Sequence, residues 1–393
     1  MFFPFLPASL LGSLAAFLPA PPATLTVRNP LGEARPAETV SVPLTQLPAT
    51  MRALDPFKLR VRDASGRVLL SQPVDLDGDH KPDELLFQVA LPALGSKTFT
   101  LDGSNADLPP SPLTTYARFV PERTDDFAWE NDRVAFRTYG PNAQELFDKK
   151  DPNGTLSSGM DCWLKRVPYP IIDRWYGRYL YEQSMAYHQD TGEGHDPYHV
   201  GSSRGIGGTG VLAGDQLYTS RNFTRYKVLA LGPIRTIFEL SYAPYDAGGQ
   251  PVTERKVVSL DLGSNLTRFE EHMAADQSVP NCTIGLTLHE AKGEVKADQK
   301  AGWFRYWEKI GDASLGTGVV VAPTYLTDYQ DHRAPGNDQN QLYVVTRPRQ
   351  GTVVFYSGFG WQKSGQFASA PAWDAYLAGF ARRVAAPLQV SWQ

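Results

Sequence analysis

From Tyr187 to Gly210 the chain reads YHQDTGEGHDPYHVGSSRGIGGTG, its densest run of groups able to donate or accept a proton. Three of the seven histidines lie here (His188, His195, His199), with Tyr187, Tyr198, Asp190, Glu193, Asp196 and Arg204. Gly192 and Gly194 flank Glu193, so neither a regular helix nor a strand is expected, and the backbone is free to fold tightly around a ligand. The donor types would also suit zinc or manganese, but no HExxH spacing is present. The competing structural reading is a polar surface loop that satisfies its own hydrogen bonds. GIGGTG matches GxGxxG in letters alone. It lacks the preceding buried strand, the following helix and an acid about twenty residues on that a dinucleotide site requires. No GxSxG, Walker A or kinase signature occurs.

Upstream, Trp163, Tyr169, Trp175, Tyr176, Tyr179 and Tyr181 are interleaved with Lys165, Arg166, Arg174 and Arg178, and only Asp173 opposes these cations. Flat rings can stack on sugar C–H faces, and guanidinium groups fork onto carboxylate or sulfate. Trp175, Tyr176, Arg174 and Arg178, with His195 and Asp196, are therefore candidates for binding an anionic sugar. The structural alternative is a set of core aromatics with solvated cationic neighbours. A third motif, DLDGDHKPDE, places Asp75, Asp77, Asp79 and Asp83 at alternating positions around Gly78. Such spacing can wrap a structural Ca²⁺, although the full twelve-residue loop signature is incomplete; the alternative is a solvated acidic turn.

Short β-rich segments carry these motifs. Thirty-four glycines and 31 prolines among 393 residues favour many strands and turns over long helices. TLTVRN, ETVSVPL, KLRVRD, RVLLSQPV, ELLFQVAL and KTFTL predict a small β-sandwich over residues 24–105. After a Pro- and Ser-rich linker, IRTIFELSYAPY, ERKVVSLDLG, TRFEEHMA, LYVVTR and TVVFYSGFG predict a large antiparallel β-sandwich over 113–393. The fold class expected is thus all-β. Near the end, Trp373, Leu377, Phe380 and Val384 share one helical face, with Pro371 suited to the first turn. Residues 1–23 form an apolar stretch ending in small residues, read as a secretion signal, so an exported, periplasmic or extracellular protein is expected. No later stretch is long and apolar enough to cross a bilayer. A net charge of −4 leaves no basic field for nucleic acid. The two cysteines, Cys162 and Cys282, allow one disulfide or two buried thiols.

ENDRVAFRTYGP (Glu130 to Pro141), the Trp175–Tyr176 pair, the His-rich run and the glycines after it resemble a bacterial domain of unknown function, number 4861, of polysaccharide-utilisation systems. That resemblance extends over nearly all of the chain after the signal, the DxDGD loop included, and implies a supersandwich-like large domain. The family includes an oligosaccharide dehydratase acting on the non-reducing-end uronic acid of ulvan fragments. The implied reaction is β-elimination of water. A base removes H5, an acid protonates the departing 4-hydroxyl, and charge on the carboxylate is neutralised. In that reaction His188 is expected as base, Tyr198 or Tyr187 as acid and Arg204 as the carboxylate's partner. Asp190 or Glu193 would orient His188, and His289 is a further candidate whose alternative is a hydrogen-bonded core histidine. No organic cofactor is expected. The competing functions are a glycoside hydrolase using paired carboxylates from Asp190, Asp196 and Glu193, and a non-catalytic carbohydrate-binding protein.

Overall fold

The computed structural model describes residues 21–182 and 186–392. The expected signal falls almost wholly outside them. The protein is all-β, built from two sandwiches of antiparallel strands, with four α-helices among the described residues: α1 (Ala49–Arg52), α2 (Pro141–Asp148), α3 (Ile172–Tyr181) and α4 (Ala370–Ala385).

In the small sandwich, Ala23–Arg28 alternates buried and partly exposed side chains, as a half-covered strand must. It joins Ser96–Gly103 and Leu59–Arg62 in a four-stranded sheet that faces a three-stranded sheet of Arg35–Pro43, Glu84–Leu91 and Ser71–Val74. Leu25, Val27, Val40, Leu85, Phe87 and Leu101 fill the space between. The fourth strand of the first sheet comes from the far end of the chain: Gln389–Trp392 pairs with Ala23–Arg28, Leu25 opposite Trp392. The C-terminus thus returns to the small sandwich rather than ending in the large one. Gln72 adds a second tie, taking the Ile234 and Arg235 amides on its Oε1 and giving its Nε2 to the Arg235 carbonyl.

The large domain has two five-stranded sheets and one of nine strands, which share a single apolar core. Phe127, Trp129, Phe136, Phe238, Phe269, Phe355 and Phe359 lie in it. Cys162 and Cys282 are buried there as free thiols, so the disulfide that the sequence allowed is not made. The predicted C-terminal helix is α4, with proline in its first turn. Trp373 and Leu377 pack on the nine-stranded sheet where Gly316, Gly318 and Gly360 leave room, with Phe380 and Val384 at the edge of the same cluster.

One five-stranded sheet positions the loop of interest. Its order is Gly194–His195, Asp161–Lys165, Ala135–Thr138, Asp126–Glu130, Tyr116–Val120. Strand alternation turns Phe136 and Cys162 into the main core, and Arg137, Asp161 and Trp163 to the opposite face. That second face is roofed by α3, whose Ile172, Trp175 and Tyr176 pack with Trp163 and Tyr187. The sequence pattern singles out no helix in this segment, so α3 is new here. Its start is fixed by Glu130, whose buried carboxylate accepts the Ile171 and Ile172 amides and is neutralised by Lys165 at 2.6 Å. A carboxylate against the orphan amides of a helix N-terminus is favourable in both hydrogen bonding and dipole.

Candidate functional site

The His-rich run folds over the outer face of this sheet. Gly194 adopts φ +113°, and a Cβ there would stand 1.9 Å from the Leu164 carbonyl oxygen, so the strand can pair this closely only with glycine. Gly205 is similar, at φ +58° with the Met160 carbonyl 2.0 Å from a would-be Cβ. These contacts draw both ends of the run onto the sheet and leave Ala186–His188 as a single 3-10 turn.

Under that turn lies a buried ionic cluster. Arg137 Nη2 reaches Asp161 Oδ2 at 2.5 Å and Asp196 Oδ2 at 3.0 Å, and Arg137 Nη1 stands 3.9 Å from Asp126. The guanidinium also lies over the rings of Tyr139, Trp163 and Tyr187. Burial works against its charge, but Asp161, Tyr139, Asp196 and Asp126 together hold its pKa well above the usual value. Burial pushes the Asp126 carboxyl up to about 6, against the pull of Arg137 and Arg123. Burial and the neighbouring Asp161 raise the Asp196 carboxyl well above the usual carboxylate range.

His188 caps this cluster. Its Nδ1 is 3.3 Å from the Asp196 carbonyl oxygen and 3.9 Å from Asp196 Oδ2, and about a third of the side chain is exposed. A carbonyl can only accept, so in the neutral ring Nδ1 holds the proton and Nε2 carries the lone pair. Tyr179 on α3 meets the ring edge-on, at 6.1 Å between centroids. Imidazole, carboxylate and phenol therefore meet where buried charge reaches solvent.

The other predicted residues sort differently. Tyr187 is fully buried against Trp163 and Tyr179, which removes it as an acid. Asp190 accepts from the Gly192 and Gly194 amides and from Arg166, and so stabilises its own turn instead of holding His188. Glu193 is gripped by Tyr169, Trp175, Arg174 and Arg178. Burial opposes its charge, yet those partners keep its carboxyl below the ordinary range. The cations and aromatics read as a sugar clamp are thus engaged within the protein. Trp175 and Tyr176 are core residues, and the Tyr176 hydroxyl donates to Asp126. His195 lies beside Trp361, with its pKa lowered by burial. Tyr198 is buried against His289. His289 Nδ1 meets Glu308 at 2.7 Å and its Nε2 meets the His199 carbonyl at 3.0 Å, so both nitrogens are held and neither can take a substrate proton. Arg204 is nearly inaccessible among Ser158, Ser202 and Gly285, away from the neighbours of His188. Asp196, expected to touch substrate, instead supports His188.

Asp126, Arg137 and Asp161 were not anticipated. They sit in runs that read as ordinary strands, and only a charged residue recurring among buried positions could have marked them.

In the acidic loop, Asp75, Asp77 and Asp83 bring carboxylate oxygens within 4.8 Å of one another. Asp79 is not in this group and pairs with Lys81. The Asp77 and Gly78 carbonyls accept from Lys227 of the large domain, and Asp75 accepts the Asp77, Gly78 and His80 amides.

Residues 27–390 match the model of a domain of unknown function (DUF4861). The uncharacterized protein P7 of Formosa agariphila (strain DSM 15362 / KCTC 12365 / LMG 23005 / KMM 3901 / M-2Alg 35-1) is 41% identical over 375 residues, covering 94% of this chain and 93% of its own. A protein in the glycosyl hydrolase family 38 from Enterococcus faecalis superposes with a TM-score of 0.51 at 10% identity, over 95% of this chain and 47% of that one. An alpha-mannosidase from Enterococcus faecalis V583 follows at 0.48 and 10% identity, over 95% and 46%. The chain spans about half the length of these solved structures, and the likeness at 0.51 is one of fold.

Proposed function

The chain belongs to the DUF4861 family, and from that premise we propose that it is a carbohydrate-active lyase that eliminates water from the non-reducing-end uronic acid of an oligosaccharide. The observation that carries this reading is His188: a solvent-facing imidazole whose Nδ1 is fixed by Asp196 above the Arg137 cluster. A base for H5 must be unprotonated near neutral pH, and an ordinary imidazole, with a pKa of ~6.5, meets that need. His188 Nε2 takes H5, electrons move to form the C4–C5 double bond, and the 4-hydroxyl leaves as water with a proton from Tyr179. The shared fold with a glycosyl hydrolase family 38 protein is in keeping with a carbohydrate substrate. We place the enzyme outside the cytoplasm, released by cleavage near Ala23; an intact Met1 on the protein isolated from its host would refute that.

A hydrolase reading is weaker. It needs two carboxyl groups roughly 5–9 Å apart across a sugar-sized gap. Of the carboxylates it would draw on, Asp196 is buried on Arg137, Glu193 is held by Tyr169, Trp175, Arg174 and Arg178, and Asp190 by Arg166 and the Gly192 and Gly194 amides. The test is ultraviolet absorbance of the conjugated double bond, followed on oligosaccharides ending in a uronic acid. His188→Ala should lower the rate about 10²–10⁴-fold with the melting temperature preserved. Near wild-type turnover by that variant would place the base elsewhere.

A further inference from the structure

Between the two sandwiches and α4 lies a cavity of about 590 Å³, within the range of small-ligand pockets. Its floor is the outer face of the nine-stranded sheet. Cross-strand register sets Ser259 beside Arg268 and Arg268 beside Tyr356, with the Arg235–Asp261 pair next to them. One wall is Pro36 to Ser41 of the small sandwich, and another is Tyr376, Phe380 and Arg383 of α4. Two elements packing on a sheet would ordinarily meet an apolar floor, yet this one is polar and stays open.

Its charges are unevenly spent. Four guanidinium groups line the space against two carboxylates, Glu38 and Asp261. Arg235 holds Asp261 through two bonds, and Glu38 lies between Arg35 and Arg383. Arg268 gives only Nη2, to Glu270, and Arg133 gives Nη1 to Asn265, with its Nε 3.8 Å from the Asp132 carboxylate. The remaining guanidinium N–H groups of both have no hydrogen-bond partner among the described residues, and both side chains are about a third exposed. Tyr356 and Phe380 meet edge-to-face at 4.9 Å beside them.

We propose that this cleft is a second binding site, away from His188, that takes an anionic saccharide. Arg268 and Arg133 would fork onto the acid group while the Tyr356 ring covers a sugar C–H face. The sugar part of this assignment rests on the function proposed above; the anion part rests on the cleft alone.

The test is calorimetric binding of cellobiouronic acid to the full chain, with cellobiose and inorganic sulfate as controls. Cellobiouronic acid should bind and cellobiose should not; binding of sulfate as tight as the disaccharide would overturn the saccharide assignment. Arg268→Ala should weaken binding about tenfold, as expected for loss of a charge-assisted contact, with Arg268→Lys intermediate. Tyr356→Ala, checked by its melting temperature, provides an independent variant and should also bind more weakly. In His188→Ala the component of binding that Arg268→Ala weakens should remain, because that component belongs to the cleft. Absence of cellobiouronic acid binding, or binding that survives both cleft substitutions, would refute the site. So would binding lost in His188→Ala, which would put the ligand at the proposed catalytic centre. If His188→Ala retains turnover while cleft binding behaves as described, only the proposed reaction fails.

Discussion

Asp196 and Asp161 meet on a single nitrogen, Arg137 Nη2, at 3.0 and 2.5 Å, and the same Asp196 supplies the oxygen that fixes His188 Nδ1. The imidazole is thereby tied through one residue to a buried charge that cannot reorient without breaking three interactions. Asp196 acts through His188 and is a positioning residue. Asp196→Asn keeps the backbone carbonyl that holds His188 but replaces the carboxyl that meets Arg137 Nη2 with an amide. With His188 held less firmly, kcat should fall about tenfold or more while KM changes little. An unchanged kcat with only a lower melting temperature would make the contact purely structural.

Glu193 should be a stability residue. Its carboxylate joins Arg174 and Arg178 of α3, Tyr169 and Trp175 to the tip of the His-rich run. Glu193→Gln leaves those partners in place without the charge that gathers them. Such a loss costs about 1–3 kcal/mol, read as a fall in denaturant midpoint. Turnover per folded molecule should drop far less than in His188→Ala. Equal loss of activity in the two variants would return Glu193 to the chemistry.

The sugar clamp expected from the sequence is spent inside the protein for a physical reason. Arg174, Trp175 and Arg178 look like a sugar platform in sequence because their partner lies fifteen or more residues on, across a turn that only glycine can make. The same distance effect hid the ionic cluster: Arg137 finds Asp161 at a separation of 24 residues and Asp196 at 59. The large-sheet strands and α4 were legible because their signal is local, a period of two or of 3.6 within one segment. Helix α3 was not, because its buried face is aromatic and its N-terminus is capped by Glu130 from another strand rather than by a neighbour in sequence.

His289 makes a pH-dependent contribution to stability. Burial disfavours its charge, but Glu308 and the His199 carbonyl outweigh that and raise its pKa above the ordinary histidine value. A raised folded-state pKa means the native protein binds the proton more tightly. The stabilisation is then complete below pH ~6.5 and is lost as pH rises through the folded value. The melting-temperature gap between wild type and Glu308→Gln should accordingly be wider at about pH 5.5 than at pH 8.5. A gap that does not change with pH would mean that His289 stays neutral.

The acidic loop gives a metal-dependent prediction. Three hard oxygen donors, from Asp75, Asp77 and Asp83, already converge and would hold Ca²⁺. Asp79 is turned to Lys81 and would contribute least. Two more potential ligands, the Asp77 and Gly78 carbonyls, are occupied by the Lys227 ammonium, which joins the small sandwich to the large one. Binding to the native state alone stabilises by RT ln(1 + [L]/Kd). Calcium should therefore raise the melting temperature relative to a chelated sample. Lys227→Ala should enlarge that increment while lowering the chelated baseline, because it frees two carbonyls and cuts an interdomain tie. Asp75→Asn should abolish the calcium increment. A thermal scan that is identical with calcium and with chelator, for wild type and Lys227→Ala alike, would mean that the loop binds no calcium.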